Sequence, residues 1–233
     1  MRFPVALLAV GALAGCATTP PAPAPPVTVV TFGDSVPAGT ACDCTPFPGL
    51  YATMLSPAAE SDDLAEAGAT SLGVRRQLAT GRARAEVRRA NVVLIMAGAN
   101  DVAADLDDGS YTEAVAAVRA NVTAAVSSVR QLRPGVAVLV FGYWNVVEDG
   151  EVGARKYDDD RRSTAGAATL ACNAALLAAA ADAGATYVDT LAPFKGSAGT
   201  GDPTPVLAAD GDHPNAAGHA LLAQAAYRAR ATP

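Results

Sequence analysis

The sequence predicts an α/β fold of three layers, with a parallel sheet between two layers of helices. Short apolar runs that end at glycine or aspartate recur along the chain, and longer segments with helical periodicity separate them. Continuous apolar strands are typical of a parallel sheet covered on both faces. Strands that alternate with helices form βαβ units, which place the helices on the two faces of the sheet.

The strands and helices follow in chain order. Apolar, β-branched runs predict strands at residues 27–32, 91–97, 136–141 and 185–189, with a weaker strand at 62–65. Valines and a leucine at spacings of three and four predict a helix that ends at Leu132, before Pro134-Gly135, and Ser110 with Glu113 forms a capping-box pattern at its start. Similar periodicity predicts helices over residues 161–183 and 215–229.

Composition limits the classes of function. A chain of 233 residues with 51% hydrophobic residues is long and apolar enough for one ordinary domain. Its net charge of -6 would repel a phosphate backbone, so nucleic-acid binding is not expected. After residue 14, no segment has the roughly 20 uninterrupted apolar residues of a membrane span.

The first 26 residues have the pattern of an export signal followed by a tether. A positive start and an apolar run precede Leu13-Ala14-Gly15-Cys16, which resembles a bacterial lipobox cleaved before an acylated cysteine. Residues 16–26 are proline-rich and predict an extended tether, so the folded domain is expected over 27–233. We expect an exported lipoprotein of the cell envelope, anchored to the membrane through Cys16. The alternative is a plain signal peptide with Cys16 unmodified.

The remaining cysteines are Cys42, Cys44 and Cys172, an odd number in an oxidising compartment. One disulfide and one free thiol are therefore expected. A bridge between Cys42 and Cys44 would span a single residue under strain, which favours a pairing of Cys172 with one of them. With two histidines and no CxxC pair, the chain is not expected to bind a metal.

Small and polar residues follow the ends of several predicted strands, which is where ligands bind in open α/β sheets. These motifs are Gly33-Asp34-Ser35, Gly68-Ala69-Thr70, Gly98-Ala99-Asn100-Asp101 and Asp210-Gly211-Asp212-His213-Pro214. Serine, histidine and a carboxylate are the groups of an acyl-transfer site, in which histidine accepts the serine proton and nearby donors hold the oxyanion.

Together these motifs resemble the SGNH hydrolase superfamily, also called GDSL esterases and lipases, over about residues 29–224. The resemblance implies a flavodoxin-like five-stranded sheet of order 2-1-3-4-5 and a serine hydrolase without cofactor. Ser35 would be the nucleophile, His213 the general base and Asp210 the residue that orients it. The backbone N–H groups of Ser35 and Gly68 and the Asn100 side chain would form the oxyanion hole. The segment before Gly68 lacks an asparagine that many members carry.

Four other features have simpler interpretations. Asp34 is expected to stabilise the serine turn as an acceptor, and His219 to be structural. Residues 158–160, three aspartates, are expected to start a helix rather than to bind calcium. For Trp144, core packing and a place in the substrate pocket remain equally open.

The sequence therefore predicts hydrolysis of carboxylic esters through an acyl-enzyme. Short-acyl or carbohydrate-linked esters are favoured over long-chain lipids, because the chain has few aromatic residues and no long apolar insertion for a lid. The alternative is a catalytically silent envelope lipoprotein that binds a glycan or lipid. The oligomeric state stays open.

Overall fold

The computed structural model describes residues 26–106 and 110–231 and confirms the α/β fold. The predicted signal segment, Cys16 and nearly all of the tether lie outside the described residues. The strands are β1 (Thr28–Gly33), β2 (Glu60–Asp63), β3 (Val92–Met96), β4 (Ala137–Phe141) and β5 (Thr186–Val188). All pair in parallel, in the order β2-β1-β3-β4-β5, as the resemblance implied.

The central strands form because they are apolar on both sides. Every residue of β1 and of β3 is buried, which is why these strands are continuous apolar runs in the sequence. In contrast, β2 has the sequence ESDD and lies largely exposed at the sheet edge, where it pairs only with β1. It begins two residues before the predicted weak strand, because its residues carry no apolar signal.

Two layers of helices cover the sheet. The helices are α1 (Phe47–Leu55), α2 (Ser71–Gln77), α3 (Gly81–Arg89), α4 (Ala99–Ala104), α5 (Tyr111–Leu132), α6 (Gly150–Lys156), α7 (Asp159–Ala183), α8 (Leu191–Lys195) and α9 (Ala216–Ala231), with a 3₁₀ helix at Thr204–Val206. On one face α1 packs against α9. On the other face α5 packs against α2, α4 and α7.

The longer helices agree with their predicted positions. The buried residues of α5, from Ala114 through Val118 and Val122 to Val129, follow the helical period. The capping-box prediction is wrong, since Ser110 stands at the N-cap but makes no capping hydrogen bond through its side chain. Asp158 caps α7 by accepting from the Arg161 N–H at 2.8 Å, which confirms that the aspartates start a helix.

In the described ranges, α7 alone is long and apolar enough to span a membrane, judged by length and composition. Half of its most apolar window is buried inside the domain, as in the core helix of a globular protein.

Candidate active site

The candidate site lies at the carboxyl ends of the strands, beside the point where strand order reverses. Ser35 follows β1, Gly68 follows the edge strand β2, and Asn100 lies in the first turn of α4 after β3. Since β1 lies between β2 and β3, these three positions share one edge of the sheet. Ser35, Asn100 and His213 line one cleft of about 40 Å³.

The serine lies on a tight turn that glycine makes possible. At Gly33 a Cβ atom would lie 2.3 Å from the Met96 carbonyl oxygen of the neighbouring strand, so only glycine fits. The turn is closed by the Thr40 N–H, which donates to the Ser35 carbonyl at 3.0 Å. The Asp34 carboxylate accepts from the Val36 N–H at 3.0 Å. These contacts fix the backbone on both sides of Ser35.

Asp34 is a buried acceptor, as predicted. Its side chain is 1% exposed, and the Tyr143 hydroxyl donates to it in a short hydrogen bond. Burial raises the pKa of Asp34 to about 6, although the hydrogen bonds from Tyr143 and Val36 act in the opposite direction. The residue therefore supports the serine turn and titrates within reach of physiological pH.

A tight loop presents His213. Asp210 accepts from the backbone N–H groups of Asp212 at 3.0 Å and His213 at 3.1 Å, and its other oxygen lies 2.7 Å from His213 Nδ1. Gly211 allows this arrangement with φ of +72°. Residues 191–209 bring the loop over the sheet, and the Leu207–Pro214 bridge closes its base.

Of the two aspartates beside the histidine, Asp210 makes the closer contact. Burial by itself would raise the pKa of Asp210, but hydrogen bonds from His213 and from two backbone N–H groups outweigh it and hold the pKa below its usual value. Asp212 lies 3.9 Å from Nε2, and burial raises its pKa. The structure thus sets an ionised carboxylate against Nδ1, which leaves Nε2 toward the cleft.

Ser35 and His213 line the same cleft, but within the described ranges no hydrogen bond joins their side chains. Contacts between a nucleophile and its base are often loose before substrate binds. The arrangement is that of a serine and a histidine-carboxylate pair converging on one small space.

Two of the candidate oxyanion donors, Gly68 and Asn100, follow the strands on either side of β1. Gly68 has φ of +79°, a conformation that favours glycine, and a Cβ there would meet nothing within 4 Å. The Asn100 amide donates to the Ala69 carbonyl at 3.0 Å. Because an amide nitrogen carries two hydrogens, Asn100 can support the Gly68 loop with one and face a substrate with the other.

A buried polar network, not anticipated from the sequence, supports the same loop. The Asp101 carboxylate accepts from the Ser71 N–H at 2.8 Å and from its hydroxyl at 2.7 Å. Asn121 of α5 donates to the Ser71 hydroxyl oxygen at 3.1 Å. The network holds Ser71, the first residue of α2, which follows the Gly68 loop. The sequence contains two signs of this network. Asp101 lies in the motif after β3, and Asn121 lies on an otherwise apolar face of α5.

The disulfide prediction is wrong. Cys42 is bonded to Cys44, and their Cα atoms lie 5.1 Å apart, within the usual range for a disulfide. Ala41 next to them has a left-handed φ of 58°. Cys172 is a free, buried thiol on α7, packed beside Gly98 on the other face of the sheet, where neither of the other cysteines reaches it. Burial raises its pKa to about 12.

His219 and Trp144 lie in the core. His219 is fully buried, its Nδ1 accepts from the Phe47 N–H at 3.2 Å, and burial lowers its pKa to about 4. One of its ring nitrogens lies within 4.8 Å of the Cys42 and Cys44 sulfurs, but the disulfide leaves these sulfurs without a thiolate to bind a metal. Trp144 is 2% exposed and stacks on Phe194 at 4.1 Å between ring centroids, while also lining the cleft.

Residues 31–221 match the GDSL-like lipase/acylhydrolase family, and the chain belongs to that family. It is therefore a carboxylic ester hydrolase. Among curated proteins, none matches this sequence significantly.

Solved structures share the fold at low identity. The lipase Lip_vut3 from a goat rumen metagenome has 16% identity and a TM-score of 0.68, over 87% of this chain and 97% of that one. A phospholipase A1 from Streptomyces albidoflavus has 21% identity and a TM-score of 0.64, over 88% and 99%. A mutant of Axe2, an acetylxylan esterase from Geobacillus stearothermophilus, has 20% identity and a TM-score of 0.61, over 87% and 93%.

Proposed function

We propose that the protein hydrolyses short-acyl esters by a Ser35-His213-Asp210 triad. The observation that carries the proposal is the contact of 2.7 Å between His213 Nδ1 and Asp210, in a loop whose histidine shares a cleft with Ser35. His213 would take the proton from Ser35 as the hydroxyl attacks the ester carbonyl. Asp210 would hold the imidazole in the correct tautomer and stabilise its charged form.

The developing oxyanion would be held by the N–H groups of Ser35 and Gly68 and by the Asn100 amide. Expulsion of the alcohol, to which His213 returns the proton, would leave an acyl-enzyme on Ser35. A water activated by His213 would then release the carboxylic acid and restore the serine.

The size of the cleft supports a short acyl group. The cleft is small, about 40 Å³, and offers little room for a long acyl chain. Its walls include the buried rings of Tyr143, whose hydroxyl donates to Asp34, and Trp144, which stacks on Phe194. An acetyl-sized group fits this space better than a long chain does.

Covalent labelling tests the triad. A fluorophosphonate should label the wild-type protein and fail to label Ser35→Ala, and Ser35→Ala should lose about 10⁴-fold or more in the hydrolysis of p-nitrophenyl acetate. Circular dichroism on both proteins checks the fold. Labelling or near-normal turnover of folded Ser35→Ala would refute the assignment of Ser35 as the nucleophile. Wild-type protein that neither labels nor hydrolyses the ester would favour a binding role.

We further propose that the protein is exported and anchored at the cell envelope through acylated Cys16. The lipobox-like end of the apolar N-terminal segment supports this proposal. Cys16→Ala should move the protein from the membrane fraction to the soluble fraction and keep its specific activity. Persistent membrane association of that variant would contradict the lipid anchor.

A further inference from the structure

A groove of about 400 Å³ with mixed polar and apolar walls opens beside the catalytic cleft. It lies between α6, the first turns of α7 and residues 200–203. Asn145 lines both the groove and the cleft, so the two spaces adjoin. The groove is about ten times larger than the cleft, and the triad chemistry alone assigns it no role.

The groove lies on the histidine side of the cleft. The Asp149 N–H, at the start of α6, donates to the carbonyl of Gly211 in the His213 loop at 2.7 Å. Val152 of α6 packs against the same glycine, where a Cβ would lie 2.4 Å from the Val152 Cβ. In acyl transfer the histidine returns its proton to the leaving oxygen, so the leaving alcohol must lie on this side.

The walls of the groove combine acceptors with donors. It carries four carboxylates and two cations, a difference of two negative charges, from Glu148, Asp149, Glu151 and Asp202 against Arg162 and Lys195. Lys195 donates to Asp149 at 2.7 Å in an ion pair whose side chains are 16% and 18% exposed. A hydroxyl both donates and accepts, which suits such a mixed surface. An anionic group would meet two lining cations, Arg162 and Lys195, that already pair with Asp159 and Asp149.

We propose that this groove is the leaving-group subsite, and that it takes a neutral polyhydroxylated alcohol such as a sugar unit. The inference rests on the proposed esterase function and names its substrate class. Ser35 Oγ forms a bond to the acyl carbon, the bond from that carbon to the sugar oxygen breaks, and His213 delivers the serine proton to that oxygen. The sugar then leaves from the groove before water hydrolyses the acyl-enzyme.

Filling the groove tests the proposal. Gly166 of α7 lines the groove, and a Cβ added there meets nothing within 4 Å, so Gly166→Trp projects a bulky ring into open space. Ala167 is the next residue on the same helix, is exposed and does not line the groove. Ala167→Trp is therefore the matched control. Ala154→Phe, which enters the groove from α6, is a second filling variant.

The readout is the ratio of kcat/KM for 6-O-acetylglucose, a sugar monoacetate that keeps its other hydroxyls free, to kcat/KM for p-nitrophenyl acetate. In Gly166→Trp and Ala154→Phe this ratio should fall by about tenfold or more, because the added ring clashes with the sugar. In Ala167→Trp it should stay within about twofold of wild type. An unchanged ratio in both folded filling variants, or an equal fall in Ala167→Trp, would overturn the subsite.

The two proposals fail in different ways. Wild-type protein that hydrolyses p-nitrophenyl acetate through Ser35 but not 6-O-acetylglucose would overturn the sugar subsite and leave the esterase intact. Activity on both esters that survives Ser35→Ala would overturn the triad itself.

Discussion

His213 has two carboxylates near it, and their distances predict different roles. Asp210 lies 2.7 Å from Nδ1, whereas Asp212 lies 3.9 Å from Nε2. Asp210→Asn should lower kcat by roughly 10² to 10⁴, because the imidazole loses its tautomer control and the stabilisation of its charged form. Asp212→Asn, the matched control, should stay within about tenfold. Steady-state kinetics on the two folded variants measure these losses. A larger loss of kcat in Asp212→Asn than in Asp210→Asn would show that Asp212 orients the histidine.

Asp34 predicts a pH dependence of stability. Burial raises its pKa from 3.8 to about 6 in the folded protein, so between these values the folded state holds a proton that the unfolded state has lost. Stability is therefore lost as the pH rises through this window, and above it the buried charge costs on the order of 2–3 kcal/mol.

Asp34→Asn removes that titration. Relative to wild type, the variant should gain free energy of unfolding between about pH 4.5 and pH 7.5, by on the order of 2–3 kcal/mol. Urea unfolding at the two pH values measures the gain. A difference between variant and wild type that does not change with pH would show that Asp34 is not buried with a raised pKa.

At the scale of elements, Ser71 couples α2 and α5 to the candidate oxyanion loop. Its hydroxyl donates to Asp101, which lies 30 positions later in the chain, and accepts from Asn121, which lies 50 positions later. Ser71→Ala should reduce kcat roughly tenfold to a hundredfold while KM changes little, because a small displacement of the Gly68 loop weakens oxyanion stabilisation. It should also cost about 1–3 kcal/mol of stability, since Asn121 loses its acceptor.

Ser127→Ala is the control for this prediction. Ser127 donates to a carbonyl one turn earlier within α5, at 2.8 Å, and among the described residues no hydrogen bond joins it to the site loops. Its removal should leave kcat unchanged. If Ser71→Ala lowers stability but leaves kcat at the wild-type value, the network is structural only.

The cysteine pairing can be checked by thiol titration. In unreduced Cys16→Ala protein, the remaining free thiol is Cys172, which is buried and has a pKa raised to about 12. It should react with Ellman's reagent only after the protein is unfolded. A pairing of Cys172 with Cys42 or Cys44 would instead leave a partly exposed thiol that reacts in the native protein.

Among the elements, the sequence predicted best the strands that are buried on both faces of the sheet. The strands β1 and β3 were predicted within one residue at each end because both of their faces are covered, which makes them continuous apolar runs. The apolar pattern in the sequence is weaker for the polar edge strand β2 and for the short helices. The Ser71 network and the disulfide could not be derived from the pattern, because they depend on which helices pack together and on a left-handed turn at Ala41.

In open α/β sheets, ligands bind at the carboxyl ends of the strands. This rule located the candidate site because it depends on topology and not on side-chain detail. Order 2-1-3-4-5 is enough to place Ser35, Gly68 and Asn100 at one edge of the sheet. The rule does not reveal the groove, whose walls come from α6, α7 and the segment after α8. Such a surface depends on loops whose course no periodicity predicts.

The charge of the whole molecule predicts a preference among soluble esters. The chain has a net charge of -6, Asp34 and Asp212 line the cleft, and the adjoining groove has more carboxylates than cations. An anionic ester should therefore bind less well than a neutral one of the same shape, and the difference should shrink as salt screens the field.

A matched pair of substrates tests this preference. 4-Acetoxybenzoate is anionic, and 4-acetoxybenzamide is a neutral compound of nearly the same shape. At low ionic strength kcat/KM should be lower for the benzoate, and the gap should narrow as salt shortens the screening length to about 10 Å near 0.1 M. The benzamide rate serves as the internal control for general salt effects. Equal rates at low salt, or a faster benzoate, would mean that the cleft does not present the negative potential that its carboxylates imply.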